Sequence, residues 1–591
     1  MKPAKIETKR SSRNSPAGWR RKIANPLAWG MILLMLLAVG GWHAWALASR
    51  PVHMIEMADE LGSLGRLIGN VAATDDGTRV SYFRGTESGG GLFVCDLASG
   101  QQHLLYEDPK MEGTQPHPQF GWSPDDKLLA VHGQRDGKDV VFIMNGDSGQ
   151  IETTLFSWVQ DLVWLSPSSF VFYNGDLMRV DKHPDSGWGR PYRFTKAAKK
   201  VSQPSGTSPK YPPVKGLMAT SPDSVAWTGR NTIWEWSFHA VAPVKLLGIP
   251  GGEIRECSYS KDSEAFLLHL RDTTGDRVAN YARSSQELVN LGGNIDSNAF
   301  NMLWVNHGKG YAYLLNQPGL HSIMLKAACT NDQPVQRVPQ DGGRAMTTGG
   351  NCIYAIGSVM SQPEGIVEYD ATTGAARYAA PSQAHFQYAR NVTPVSGFLT
   401  NSLGEIHAYN LWAPVHFDSR KKYPLILAQQ IHVWNEYAET SANAGAYYVN
   451  VERPDFNHPQ IQQWADDVMA AYRLMSDNPN IDTNRVFLCG ASAETGYLAQ
   501  LMTQEPGLWK GAILTSAVAF PALSQISADK LLINCGLADE YNTFGGIKQF
   551  QEDAARAGIV VTLAIHRTGH VFVSASANQE STQEFIKFLF E

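Results

Sequence analysis

The chain reads as a multi-domain protein in three parts. These are an N-terminal transmembrane helix, an all-β propeller of about seven blades, and a C-terminal domain with a parallel sheet wrapped in helices. Three observations carry this reading. The span 26–49 holds no Asp, Glu, Lys or Arg. Similar turn-and-strand units then recur at a spacing of roughly 40 residues, which is a propeller period. Beyond position 400, apolar strands alternate with an amphipathic helix, the pattern of a sheet covered by helices on its faces. The organisation is a basic cytoplasmic tail over 1–25, a transmembrane helix over 26–49, a propeller over 55–385 and the α/β domain over 386–591.

The tail carries Lys2, Lys5, Lys9, Arg10, Arg13, Arg20, Arg21 and Lys22 against Glu7 alone. The apolar run behind it is long enough for about 30 Å of hydrocarbon. Trp29, Trp42 and Trp45 lie towards its ends, where interfacial aromatics sit. A positive flank stays cytoplasmic, so the bulk of the chain is expected outside, in the periplasm of a Gram-negative cell. Ala46-Leu47-Ala48 also suits a signal-peptidase site, and a cleaved leader is the competing reading.

The propeller units begin at Ala73-Thr74-Asp75-Asp76-Gly77, Trp122-Ser123-Pro124-Asp125, Trp164-Leu165-Ser166-Pro167, Thr220-Ser221-Pro222-Asp223 and Tyr259-Ser260-Lys261-Asp262. Weaker ones begin at Trp304-Val305-Asn306-His307-Gly308 and Thr347-Thr348-Gly349-Gly350-Asn351. Pro-Asp and Asp-Gly pairs turn tightly between antiparallel strands. Seven blades is the count, with eight as the alternative. The units alone define an architecture and leave its ligand open.

Across all 591 residues the net charge is −6, which gives no bulk electrostatic case for nucleic acid. No phosphate-binding loop, dinucleotide fingerprint, HExxH or CxxC occurs, and no metal or cofactor is expected. The six cysteines are scattered. Cys329 and Cys352 are a conceivable bridge in an oxidising compartment, with buried free thiols the favoured reading.

In the last third, Leu403–Pro414, Lys421–Ala428 and Tyr447–Val451 read as strands, and Gln462–Met475 as an amphipathic helix. Val486 to Cys489 is an unbroken apolar run, suited to a strand buried on both faces. Gly490-Ala491-Ser492 turns the chain, and Glu494 to Met502 reads as a helix. A strand, a sharp turn with a central Ser and then a helix make the nucleophile elbow of an α/β-hydrolase. A serine hydroxyl is a weak nucleophile and must project from a rigid turn towards a base.

These features resemble the prolyl oligopeptidase family of serine peptidases, along the whole length beyond the apolar run. The matching residues are Lys422-Tyr423-Pro424 before a long strand, Asp467 in the helix before the elbow and Leu508-Trp509-Lys510-Gly511-Ala512 behind it. Further matches are Leu531 to Asp539, as a strand followed by G-x-x-D, and the terminal Gly569-His570. The resemblance implies a membrane-anchored, propeller-plus-hydrolase peptidase with a catalytic triad of Ser492, Asp539 and His570. The triad should converge at the sheet's C-terminal edge, facing the propeller. It also implies oxyanion donors at the Ala493 backbone N–H and at Gln430, which stands where the family has a tyrosine. Outside the resemblance, Asp539 also suits a turn cap, His570 a surface histidine, and His566 competes as the base.

Three departures from the family pattern raise a second reading. Glu494 stands where G-x-S-x-G has glycine, so its side chain is expected to crowd the turn and oppose an oxyanion, unless it serves as a first-turn acid. Gln430 replaces the tyrosine. The segment 518–531 is shorter than the family's, which lines the substrate pocket. One expectation is therefore a hydrolase acting through an acyl-enzyme on a peptide or small ester or amide. The other is an inactive ectodomain that binds or scaffolds.

Overall fold

The computed structural model describes positions 54, 56–58 and 61 and most of 67–590. The gaps are 109–119, 194–214, 330–334, 358–364, 381–386, 430–435, 452–460, 540–543 and 567–574, with scattered single and paired positions. The expected transmembrane helix lies outside the described residues. Among those that are described, no helix is long and apolar enough to cross a membrane.

Seven antiparallel sheets follow one another at 67–108, 120–156, 161–193, 215–248, 253–295, 299–341 and 343–380. Six have four strands and the third has five, and the first strand of each lies against the first strand of the next. This is a seven-blade β-propeller. All seven units singled out in the sequence fall at the turn between the first and second strands of a blade. The reason is geometric: the innermost strand needs a tight reversal on the crowded axis, and Asp, Gly, Pro and Ser supply it.

Each blade is one contiguous run of chain, so the ring closes through side chains and turns. Val71, Val80, Tyr82 and Cys95 of the first blade pack against Tyr354, Ile356, Ile366 and Ala380 of the seventh. The Tyr354 hydroxyl donates to the Gly77 carbonyl at 3.2 Å, and the Gly350 N–H donates to the Asp75 carbonyl at 3.0 Å.

A second device joins other neighbouring blades. A polar side chain on one innermost strand binds the backbone of the next. The Asp161 carboxylate accepts from the Leu217 N–H at 2.6 Å, and the Glu256 carboxylate from the Met302 N–H at 2.9 Å. The Asn301 amide grips Met346 at both its N–H and its carbonyl. Leu217 and Met302 both sit in β-bulges, which release an N–H from the ladder of their own blade.

Beyond the propeller comes one eight-stranded sheet. Its strands are β1 (Val395–Thr400), β2 (Ile406–Trp412), β3 (Tyr423–Gln429), β4 (Tyr447–Val451), β5 (Ile481–Ala491), β6 (Gly511–Thr515), β7 (Lys530–Gly536) and β8 (Val560–His566). Their order is β1-β2-β4-β3-β5-β6-β7-β8. The β1 and β2 pairings are antiparallel and all others parallel. The central strands read as apolar runs because both of their faces are covered.

Helices α1 (Glu436–Ala444), α2 (Ile461–Ser476), α3 (Glu494–Gln504), α4 (Phe544–Arg556) and α5 (Ala575–Phe590) do the covering. Trp464 and Val468 of α2, and Tyr497 and Leu501 of α3, pack on Leu425, Leu427, Leu488 and Leu514. On the opposite face α1 meets α5 through Tyr437 and Phe585, and Phe588 of α5 lies edge-on to Phe487.

The two domains touch where α5 begins. The Ala575 N–H donates to the Thr86 carbonyl at 2.8 Å, and the Ser576 hydroxyl donates to the Glu87 carbonyl at 2.7 Å. Thr86 and Glu87 belong to the turn between the second and third strands of the first blade. The chain linking the domains is docked on α1. Asn443 binds both the N–H and the carbonyl of Arg390. The fully buried Glu439 accepts the Val392 N–H at 2.9 Å and the Trp412 indole N–H at 3.3 Å.

Burial pushes the Glu439 carboxyl up to about 8, although both N–H donors favour its charged form. The folded protein thus holds a proton that the unfolded chain releases near 4.5. Stability from this group is complete below about 4.5 and declines as pH rises towards about 8. Glu439→Gln keeps the shape and removes the charge. Its melting temperature should gain on the wild type as pH rises through that window. Thermal melts of both proteins at matched ionic strength check this, and parallel pH profiles would show that Glu439 does not titrate there.

Candidate active site

Strand β5 ends at Ala491 and α3 begins at Glu494, so Ser492 sits in the reversal between them. Its φ is +53°, in the left-handed region where a Cβ meets its own backbone. Four hydrogen bonds around the turn hold that conformation. The Ser492 N–H donates to the Thr515 carbonyl at the end of β6, at 2.9 Å. The Ser492 carbonyl accepts from both the N–H and the hydroxyl of Thr495, the latter at 2.7 Å. On the strand side, the Ala491 N–H donates to a carboxylate oxygen of Glu494 at 2.9 Å.

Thr495 is buried, and its hydroxyl is fully used. It donates to Ser492 and accepts from the N–H groups of Val518 and Ala519, both at 3.2 Å. It thereby fastens the segment after β6 to the elbow. The sequence reading missed this role. A threonine in a first helical turn is a known binder of nearby backbone, and that was the available signal. Gly490 shows why the strand approaches the helix so closely. A Cβ there would stand 2.7 Å from Leu498 Cδ1 and 3.2 Å from Glu494 Cβ.

Asp539 follows the C-terminal end of β7, nearly buried, with its N–H on the Gly536 carbonyl at 3.3 Å. The Leu537 N–H binds the His566 carbonyl at 2.8 Å, tying this loop to the end of β8. The Asp539 charge also acts on Cys535, whose thiol is pushed up to about 11, mainly by burial. Ser492 and Asp539 thus leave the C-terminal ends of β5 and β7, with β6 between them. At about 4.8 Å per strand spacing the two exits are roughly 10 Å apart across the sheet. His570, Ala493 and Gln430 lie outside the described residues.

His566, the competing base, ends β8. It is buried, and its Nδ1 lies 3.2 Å from the Glu580 carboxylate of α5. Burial lowers its pKa, partly countered by Glu580. Asp467 is fully buried in α2, where it accepts from the Asn401 amide at 2.9 Å and secures the turn between β1 and β2. Between Thr515 and Lys530 the described residues contain a single short 3-10 turn, Leu523–Gln525. No group of three or more His, Cys, Asp or Glu suited to a metal occurs among the described residues. All six cysteines are free thiols.

No family model matches the chain, and no curated protein matches it in sequence. Solved structures do match its fold. A prolyl endopeptidase aligns with TM-score 0.66 and 14% identity, over 95% of this chain and 94% of its own. A puromycin hydrolase aligns with TM-score 0.65 and 13% identity, over 90% of this chain and 96% of its own. An acylaminoacyl peptidase from Pyrococcus horikoshii aligns with TM-score 0.62 and 12% identity, over 88% of this chain and 95% of its own. The chain shares the fold of these solved structures, and its likeness to the prolyl endopeptidase runs along nearly its entire length.

The strained turn makes a prediction of its own. Ser492→Gly and Ser492→Ala both delete the hydroxyl, yet only glycine adopts φ +53° without a Cβ clash. The glycine variant should be the more stable by about 1 kcal/mol. Denaturant midpoints of the two variants measure the difference, and equal midpoints would mean that position 492 is relaxed.

Proposed function

We propose that the protein is a membrane-anchored serine hydrolase of peptidase-like architecture, acting through an acyl-enzyme on a peptide or small ester or amide. The observation that carries this is Ser492 in a left-handed turn between a buried strand and a helix. Strain of that kind persists where surrounding structure enforces it, and it gathers at reactive sites. The solved structures of similar fold, a prolyl endopeptidase, a puromycin hydrolase and an acylaminoacyl peptidase, support acyl transfer as the chemistry.

In this reading His570 takes the Ser492 proton as the hydroxyl oxygen bonds to the substrate carbonyl carbon. The same proton goes to the leaving amine or alkoxide as the scissile bond breaks. Water then repeats the sequence on the acyl-enzyme and releases the acid. Asp539 holds the His570 tautomer and stabilises the imidazolium. The Ala493 N–H and the Gln430 side-chain amide would donate to the oxyanion.

The short connection from Thr515 to Lys530 favours a second reading, a catalytically inactive ectodomain that binds or scaffolds. A fluorophosphonate probe separates the two. The hydrolase should be labelled at Ser492, Ser492→Ala should abolish labelling, and Asp539→Asn should slow ester turnover by roughly 10⁴-fold. A folded protein that takes up no probe would establish the inactive reading.

The apolar run 26–49 with its basic flank supports a single span, with the tail in the cytoplasm and the bulk outside. The protein should then stay in the membrane pellet through high-salt washing, and protease added outside should digest the ectodomain. Recovery of a soluble form beginning near Arg50 would show a cleaved leader instead.

A further inference from the structure

We propose that Glu494 is a positioning residue that braces the elbow from behind. This deepens the hydrolase reading and rests on it. The sequence sets Glu494 where a small residue is usual, which suggests an obstruction. The side chain is oriented differently. One carboxylate oxygen accepts the Ala491 N–H at 2.9 Å, three residues back along the chain. The side chain leaves the helix start and folds beneath the strand end, with its Cβ 3.2 Å from where a Gly490 Cβ would stand.

Successive N–H groups of a strand point to opposite sides. The Ser492 N–H points to β6, where it meets the Thr515 carbonyl. The Ala491 N–H therefore points to the β3 side. Among the described residues the β3–β5 ladder ends with Ala428 opposite Cys489, and the acceptor for the Ala491 N–H is Glu494. The reach of three residues back along the chain matches that of the glutamate in a capping box, but Glu494 is the first residue of α3 and its donor lies beyond the left-handed turn. The acid also lies at a helix N-terminus, where the backbone dipole favours it.

The elbow is thus gripped on both sides of its strained residue. Thr515 fixes the peptide entering Ser492, Glu494 fixes the peptide before that, and Thr495 fixes the peptide leaving it. With these peptides fixed, the Ser492 Cα–Cβ bond has one direction in which to project. A site built this way reacts faster because its nucleophile is already oriented. Substrate affinity need not change, since Glu494 acts from beneath the turn.

The test uses the full-length protein and three variants. Glu494→Gln keeps an acceptor for Ala491. Glu494→Ala removes it, and Glu494→Gly removes it while restoring the small residue. Fluorophosphonate labelling rates, and kcat and KM for p-nitrophenyl acetate, are measured beside hydrogen exchange in the peptide covering 487–495. The Gln variant should stay within about threefold of wild type in labelling and turnover. Ala and Gly should each lose tenfold or more in labelling rate and kcat at unchanged KM, with faster exchange confined to that peptide. Gly or Ala labelling as fast as wild type, or faster, would overturn the proposal and make Glu494 a bystander or an obstruction. If wild type takes up no probe, the hydrolase reading fails, and exchange still decides the brace. Unchanged exchange in both Ala and Gly would overturn it on that ground alone.

Discussion

One left-handed peptide turn organises the C-terminal domain. Ser492 at φ +53° pays in strain for a sharp exit from β5. That exit lets α3 fold back on the face of the sheet from which its own strand came. Gly490 permits the close approach, and Leu498 and Glu494 fill the space that a larger residue would need. Leu501 and Tyr497 can then enter the same core as Leu488 and Val468. The turn also reaches sideways. Through Thr515 and the Thr495 hydroxyl it holds the end of β6 and the start of the next segment. Relaxing one residue would loosen two strand ends and a helix together.

Much of this was legible in the sequence, and the failures have physical causes. The elbow is local, so four residues between a strand and a helix announce it. The seven innermost turns are local too, and each carries its own Asp, Gly, Pro or Ser signature. Strand β1 went unread because Val395 and Phe398 are exposed, which spoils the alternation of a half-buried edge. Helix α1 went unread for the opposite reason. Its buried residues mix Glu439, Thr440 and Ser441 with Tyr437, Ala438 and Ala442, so no clean apolar stripe marks it. The sequence left Glu494 as either an obstruction or a first-turn acid, and its bond to the Ala491 N–H could not be read from it. That bond depends on which way the Ala491 N–H points and on where β3 stops, and neither is a property of the residues near position 494.

The same contrast separates the two domains. In the sheet, apolar side chains on both faces decide which helix lies where. In the propeller, apolar clusters lie between blades, and a few polar side chains tie one innermost strand to the next. Asp161, Glu256 and Asn301 each bind a backbone group of the following blade, at fixed length. A ring needs such devices because errors in the blade-to-blade rotation accumulate around the circle, and the seam between the first and last blades must meet.

These staples place an asymmetric demand on the chain. The giving blade must keep a short carboxylate or amide at one position, whereas the receiving blade offers only an N–H, which nineteen of the twenty amino acids possess. Leu217 and Met302 receive in this chain, and their side chains are free to answer to packing alone. Blades can therefore diverge in sequence almost independently of one another while the circle stays closed. The same architecture recurs in solved structures at only 12% to 14% identity, as such tolerance allows.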